Sequence, residues 1–333
     1  HIRYGAGVSE VRRRGGGGWD VELDHGETRS YTRLVVANGH NWDPRWPNLP
    51  GSFAGRLMHS SEYKTPDVLA GKRVLVIGGG NSGCDIAVEA AQNADRTLLS
   101  LRRGYHFLPK FFHGTPIDVC GERMLRWRVP LWLRRALARS ASFFLLGHPP
   151  WLGLPRPDHR LFETHPVINS QLVYHLGHGG VAIRPEVAGL SGQGVRFVDG
   201  SEDEVDVIIC ATGFNVSMPF LPEPELEWRD GRPRLFLNVF HPDCDDLFFA
   251  GLIQPDSGQF GLVDRQAQLI AEYLRGIDRR SAAADWFRAE KRRRAGEPAS
   301  RIRYLATPRH ALEVEHFSYR NRLEKLIKRL RRG

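Results

Sequence analysis

Apolar and polar residues alternate along residues 18–24, the alternation breaks at His25-Gly26, and it resumes at Tyr31 before the apolar run Leu34, Val35 and Val36. The same order returns much later in the chain. Residues 194–198 alternate, Asp199-Gly200 interrupts them, and a second alternation from Glu204 leads into Val207, Ile208 and Ile209. Alternation with glycine punctuation predicts a β-hairpin, and a short continuous apolar run predicts a strand buried on both faces. Both runs stop alike, in ANGHN at 37–41 and ATGFN at 211–215. A glycine ending a buried strand lets another backbone or a ligand come close. The matched order of hairpin, apolar strand and glycine predicts a duplicated unit.

A third apolar run, residues 74–77, leads into the turn GGGNSG at 78–83, then a helical stretch at 84–91 and a second strand at 96–101. This is a β-α-β unit of about thirty residues carrying G-x-G-x-x-G in the context that the motif requires. Gly78 permits the tight turn, Gly80 lets the backbone approach a pyrophosphate, and Gly83 brings helix and strand together. Asn81 and Ser82 then flank a diphosphate held on free amides at the positive end of the helix. A site for NAD or FAD would place a carboxylate near the end of the second strand. Here residues 96–103 hold none, and Ser100, Arg102 and Arg103 suit the 2′-phosphate of NADP. Near the C-terminus, residues 319–330 set Tyr319, Leu323, Leu326, Ile327 and Leu330 on one helical face. Glu324 and Lys328 stand i,i+4 on that helix in the favourable orientation.

Composition narrows the function. The 333 residues are 41% hydrophobic and 26% charged, an ordinary globular balance, with a formal charge of +9. The basic residues are scattered and accompany no nucleic-acid motif. Cys84, Cys120, Cys210 and Cys244 form no close pair, which excludes a dithiol redox centre and a thiolate metal site and suits a reducing, cytoplasmic setting. A pyridine-nucleotide disulfide reductase, which also nests dinucleotide folds, needs two neighbouring cysteines and is excluded with them. No apolar run is long enough to span a bilayer. Residues 126–154 mix Trp127, Trp132, Phe143, Phe144 and Trp151 with arginines. They read as a lid over a domain cleft in preference to a segment lying on a membrane.

Residues 53–64, FAGRLMHSSEYK, resemble the F-x-G-x-x-x-H-x-x-x-[YFW] segment of the flavin-containing monooxygenases, with Phe53, Gly55, His59 and Tyr63 matching. Residues 38–44 resemble the first A-T-G-H-x-x-x-P segment of that family, with Asn38 in place of threonine, and residues 210–214 the second A-T-G-[YF] segment. Residues 166–169 and 251–254, with Gln266 and Gln268, resemble further segments, so the likeness covers essentially the whole chain. Tyr63-Lys64 in place of Trp-Pro makes it look less like the Baeyer–Villiger branch.

The resemblance implies an α/β fold of two nested Rossmann-like dinucleotide-binding domains, three-layered ββα. The expected FAD domain comprises 1–65 and 206–333, around an inserted NADP domain at 66–205. Gly78 and Gly213 are 135 positions apart. The first copy's matching turn would therefore fall roughly a hundred residues before His1, leaving an N-terminally truncated FAD domain. Asn38, Gly39, Gly213 and Gln254 should border FAD, while His59 and Tyr63 hold NADP and link the domains. Asn169 either lies near the nicotinamide or caps a loop. The implied reaction is reduction of FAD by NADPH, formation of a C4a-hydroperoxyflavin with O2, and oxygenation of a nitrogen, sulfur or carbonyl substrate. No catalytic acid, base or nucleophile and no metal is expected, because the cofactor carries the chemistry. A homodimer is compatible with this reading. The alternatives are a catalytically inactive NADP-binding fragment and a Baeyer–Villiger enzyme.

Overall fold

The alternating N-terminal stretch folds, in a computed structural model describing residues 1–147, 149–222, 225–299, 302, 304 and 310–333, as an antiparallel meander of β1 (Val8–Arg13), β2 (Trp19–Leu23) and β3 (Thr28–Tyr31). It leads into β4 (Leu34–Val36). Next come β5 (Gly51–Phe53), β6 (Arg56–His59), β7 (Arg73–Ile77), α1 (Asn81–Asn93) and β8 (Arg96–Ser100). A middle stretch holds β9 (Phe107–Leu108), α2 (Ile117–Arg126), α3 (Leu131–Leu146), β10 (Val167–Ile168) and α4 (Gln171–Gly177). The strand β11 (Ala182–Arg184) and a second meander, β12 (Val187–Gly192), β13 (Gly194–Phe197) and β14 (Glu202–Glu204), then lead into β15 (Val207–Cys210). The chain closes with β16 (Leu247–Phe249), β17 (Gln254–Pro255), α5 (Phe260–Asp278), α6 (Ala282–Arg293), β18 (Glu313–Val314) and α7 (His316–Arg332).

These elements form two compact units, residues 44–214 and residues 1–43 with 215–333. The expected seams at 65/66 and 205/206 differ from these because β6 and β15 both hydrogen-bond into the inner sheet. That sheet runs β11-β8-β7-β15-β6, all parallel, with Ile208 between Leu57 and Leu75. Alternation along its strands makes three layers. Val74, Val76, Leu99 and Ile209 pack with Ala87, Val88 and Leu172 of α1 and α4. Leu75, Leu98, Ile208 and Cys210 pack instead with Val187, Val195 and Phe197 of the second meander. A parallel sheet covered on both faces explains why these strands read as unbroken apolar runs.

The outer unit repeats the plan in reduced form. Its meander shares a core with Val36, Leu247 and Phe249, while Phe248 faces α5, α6 and α7. The expectation of a fully buried first strand fails at Val35, which is 49% exposed. Among the described residues β4 pairs only with β16, and the helices close over Phe248 beside it. The predicted C-terminal helix is α7, with Tyr319, Leu323, Ile327 and Leu330 buried and Leu326 half-buried. Glu315 caps it by accepting from the Ser318 amide at 2.8 Å. Glu324 turns back to Arg320 at 2.9 Å and toward Arg265 at 3.5 Å rather than forward to Lys328.

One carboxylate fixes the register at the start of the inner sheet. Asp206 accepts from the Arg73 amide at 2.8 Å and from its guanidinium at 2.9 and 3.1 Å, and the Arg56 amide donates to the Asp206 carbonyl. The Arg73 side chain and amide together hold the Asp206 carboxyl down to about 2. A lowered carboxyl pKa contributes stability that is complete above the unfolded value and lost as pH falls toward the folded one. Asp206→Asn should therefore be less stable than wild type by a constant margin above about pH 4, with the margin closing toward pH 2. Urea unfolding followed by circular dichroism across that range checks it.

Candidate dinucleotide site

The turn after β7 is shaped by two contacts that exclude a side chain. Gly78 has φ +114 and lies against the Ala211 carbonyl, while Gly83 lies so close to the Gly78 carbonyl that a methyl group there would overlap it. The Gly78 amide donates to the Ser100 carbonyl at 3.0 Å, and the Ala211 amide to the Ile77 carbonyl at 2.8 Å. The turn is thus gripped by both neighbouring strands. Gly80 caps α1 with extended backbone, no side chain caps the helix, and its first turn carries no acidic residue. First-turn amides lack helical partners, so this end of α1 presents donors and a positive dipole to an anion. Asn81 and Ser82 are exposed beside it, and the Asn81 Oδ1 accepts from the Ile168 amide at 3.0 Å. These residues fit a nucleotide diphosphate.

The second strand divides the expected 2′-phosphate contacts. Ser100 is buried and its hydroxyl donates to the Pro185 carbonyl at 2.7 Å, so it ties β8 to the connection after β11. Arg102 is exposed, and the Arg103 guanidinium lies 5.9 Å from the Tyr105 ring. Asn169 acts as a cap: its Oδ1 accepts from the Leu172 amide at 2.7 Å, and its Nδ2 donates to Asp85 at 2.7 Å, joining α4 to α1.

His59 and Tyr63 are both bracing residues of the inner unit. His59 is buried at the end of β6 with its Nε2 3.0 Å from the Gly213 carbonyl and its Nδ1 3.2 Å from the Ser61 amide. A carbonyl only accepts and an amide only donates, so Nε2 carries the proton and Nδ1 accepts. Phe214 stands edge-on to the ring at 5.0 Å. Tyr63 donates to Glu89 of α1 at 2.8 Å, and burial with that carboxylate pushes its phenol well above the ordinary value. Sequence reasoning missed Asp85 and Glu89, whose i,i+4 spacing on α1 was the available signal.

Asn38, Gly39 and Gln254 belong to the outer unit, whereas Gly213 ends β15 in the inner one. Gly39 and Gly213 have φ +74 and +81, with no protein atom within 4 Å of where a Cβ would stand, so within the chain it is the backbone conformation that favours glycine. Asn38 donates to the Ser217 carbonyl at 3.2 Å, and Gln254 pairs with Glu313 between β17 and β18. The Gly251 amide donates to Gln266, which donates to Tyr319, which donates to the Leu237 carbonyl at 2.6 Å. Among the described residues the outer unit contains no glycine turn onto a helix like that of α1. Cys84, Cys210 and Cys244 are buried, Cys120 is half-buried, and no disulfide joins them. Burial pushes the Cys210 thiol up to about 12. The described residues include no group of three or more metal-ligating side chains.

A parallel sheet backed by a meander, with a glycine turn opening onto an uncapped helix, defines a dinucleotide-binding protein of the Rossmann class. The FMO-like model, flavin-binding monooxygenase-like, matches residues 1–329, and the chain belongs to that family of oxidoreductases, whose members use FAD and NADPH. It is 36% identical over 226 residues to indole-3-pyruvate monooxygenase YUCCA1 of Oryza sativa subsp. japonica, covering 65% of this chain and 55% of the relative. It is 30% identical over 338 residues to flavin-containing monooxygenase 5 of Cavia porcellus, covering 95% and 62%. The chain thus spans little more than half the length of these relatives. Among solved structures, a cyclohexanone-bound cyclohexanone monooxygenase superposes with TM-score 0.68 at 17% identity, covering all of this chain and 79% of that one.

The contact at Gly83 can be tested directly. Gly83→Ala should cost about 1–3 kcal/mol of stability through overpacking and weaken NADPH binding, whereas Gly258→Ala, with open space around it, should do neither. Thermal melts and NADPH titration of the two variants separate these outcomes.

Proposed function

We propose that this chain is the NADP-binding and partial FAD-binding portion of an NADPH- and FAD-dependent monooxygenase acting on a nitrogen, sulfur or carbonyl substrate with O2. The observation that carries the reading is the uncapped α1 behind the Gly78–Gly83 turn, with Arg102 and Arg103 at the end of the second strand, in a chain of the flavin-binding monooxygenase family. The first-turn amides with Asn81 and Ser82 hold the diphosphate, and Arg102 and Arg103 take the 2′-phosphate. Asn38, Gly39 and the 251–254 turn border FAD. The flavin supplies oxygen activation and transfer when bound; the protein orients the cofactors and excludes water. His59 is a positioning residue, since both ring nitrogens already have partners. Soft nitrogen or sulfur oxygenation is preferred to Baeyer–Villiger chemistry because Tyr63-Lys64 stands where that branch carries Trp-Pro. The four thiols, three of them buried, suit a cytoplasmic setting.

Replacing Arg102 and Arg103 together by Ala should weaken NADPH by about 1.5–3 kcal/mol, the loss of a charged hydrogen-bond partner, and leave NADH nearly unchanged. Equal losses for both nucleotides, measured by titration, would remove the NADP assignment. In the full-length protein, His59→Ala should lower product formed per NADPH and raise hydrogen peroxide, since displacing a reacting group by about 1 Å can cost a hundredfold in rate. Intact coupling, with only a pH step near the imidazole range removed, would instead make His59 an acid–base group.

A further inference from the structure

Residues 155–159 lie against the end of the second strand, although they are distant from it in sequence. Gly104 follows Arg102 and Arg103 and packs on the backbone of Pro155 and Arg156, so closely that a Cβ there would stand 2.3 Å from the Pro155 carbonyl oxygen. Two residues on, His106 Nε2 donates to the His159 carbonyl at 2.8 Å, and the two imidazoles stand perpendicular with centroids 5.1 Å apart. The segment is thus held at both ends against residues 104–106. Between those holds stands Asp158, its side chain 66% exposed. The His159 side chain is buried and fixes that carboxylate: its Nδ1 donates to Asp158 Oδ1 at 2.7 Å, while its Nε2 lies 2.9 Å from the Thr164 hydroxyl.

Arg103 joins this cluster to the glycine turn. Its guanidinium lies 5.9 Å from the Tyr105 ring, and Tyr105 in turn covers Gly79, where a Cβ would come within 2.7 Å of the ring. The His159 hydrogen bond, with further attraction from Arg103, holds the Asp158 carboxyl below the ordinary carboxylate range. The carboxylate missing from residues 96–103 is therefore supplied at this end by another loop. We propose that Asp158 is a specificity-determining residue, a carboxylate near Arg103 that opposes the 2′-phosphate and limits the preference for NADPH over NADH, on the reading that Arg102 and Arg103 take that phosphate. A nucleotide carrying the phosphate meets the arginines and this negative charge together, whereas one lacking it gains from neither and loses to neither. The preference between them is a difference of affinities, set by attraction and repulsion at that one group. An unrestrained carboxylate would turn away from an arriving anion; the bond to His159 keeps this one in place.

Titration of the 333-residue chain with NADPH and with NADH, followed by nucleotide fluorescence, tests this. Asp158→Asn keeps an acceptor for His159 while removing the charge. It should tighten NADPH roughly three- to fivefold, the scale of one exposed charge contact, with NADH nearly unchanged, and the gain should shrink with added salt. Asp95→Asn removes the same charge just before the second strand, at its opposite end, and should change neither nucleotide. The proposal is overturned if Asp158→Asn leaves the preference unchanged, if it weakens NADPH, or if Asp95→Asn tightens NADPH as much. Arg102→Ala with Arg103→Ala separates the two levels. If that variant keeps the full preference for NADPH, the 2′-phosphate reading falls and the role of Asp158 with it; if it loses the preference while Asp158→Asn changes nothing, the role of Asp158 alone falls.

Discussion

The approach of α1 to the end of β7 is the contact on which the inner unit turns. Gly83 brings the helix against the Gly78 carbonyl, and Gly78 in turn lies against Ala211 at the end of β15. Three elements therefore meet with nothing larger than the Ala211 methyl group between them, and this approach sets where the first-turn amides of α1 lie. A methyl group at either glycine would push the helix outward and turn those amides away. The dipole and the free donors follow from the helix itself; their direction follows from this one approach.

The two units run the same programme to different extents. Each feeds a three-stranded meander into a parallel strand and ends it at a glycine with positive φ, Gly39 in one and Gly213 in the other. In the inner unit four further parallel strands complete the sheet, and both its faces are covered. The outer unit has two paired strands at the equivalent place, with three helices over one side. That difference explains why Ile208 is buried and Val35 half exposed, although both sit in apolar runs of similar sequence.

Within each unit, several buried polar side chains hold backbone. His59 reaches the Gly213 carbonyl, Asn169 holds Leu172 and Asp85, and Gln266 holds Gly251 and Tyr319. Groups whose hydrogen bonds are already committed are suited to keeping cofactors in register, and poorly suited to moving protons.

The sequence by itself determined the strand–turn–helix unit at 73–100, the paired meanders, the amphipathic C-terminal helix and the choice of arginine over a carboxylate at the second strand. Those are local signals: the period of the apolar residues, glycine spacing, and the charge of neighbouring positions all act within a few residues of one another. Only the tertiary structure decided the seams at 43/44 and 214/215, because β15 pairs with β7, and β6 with β15, across long stretches of sequence. It also decided that Ser100 spends its hydroxyl on Pro185, that Asn169 is a cap, and that Glu324 meets Arg320, since each outcome depends on which partner the fold brings within hydrogen-bond reach. The outward aromatic face of α3, with Trp132 and Phe144 exposed, is the clearest case. Periodicity shows that a helix has two faces, but which of them turns inward is settled by the residues it lands on, here Leu108, Leu161 and Phe162.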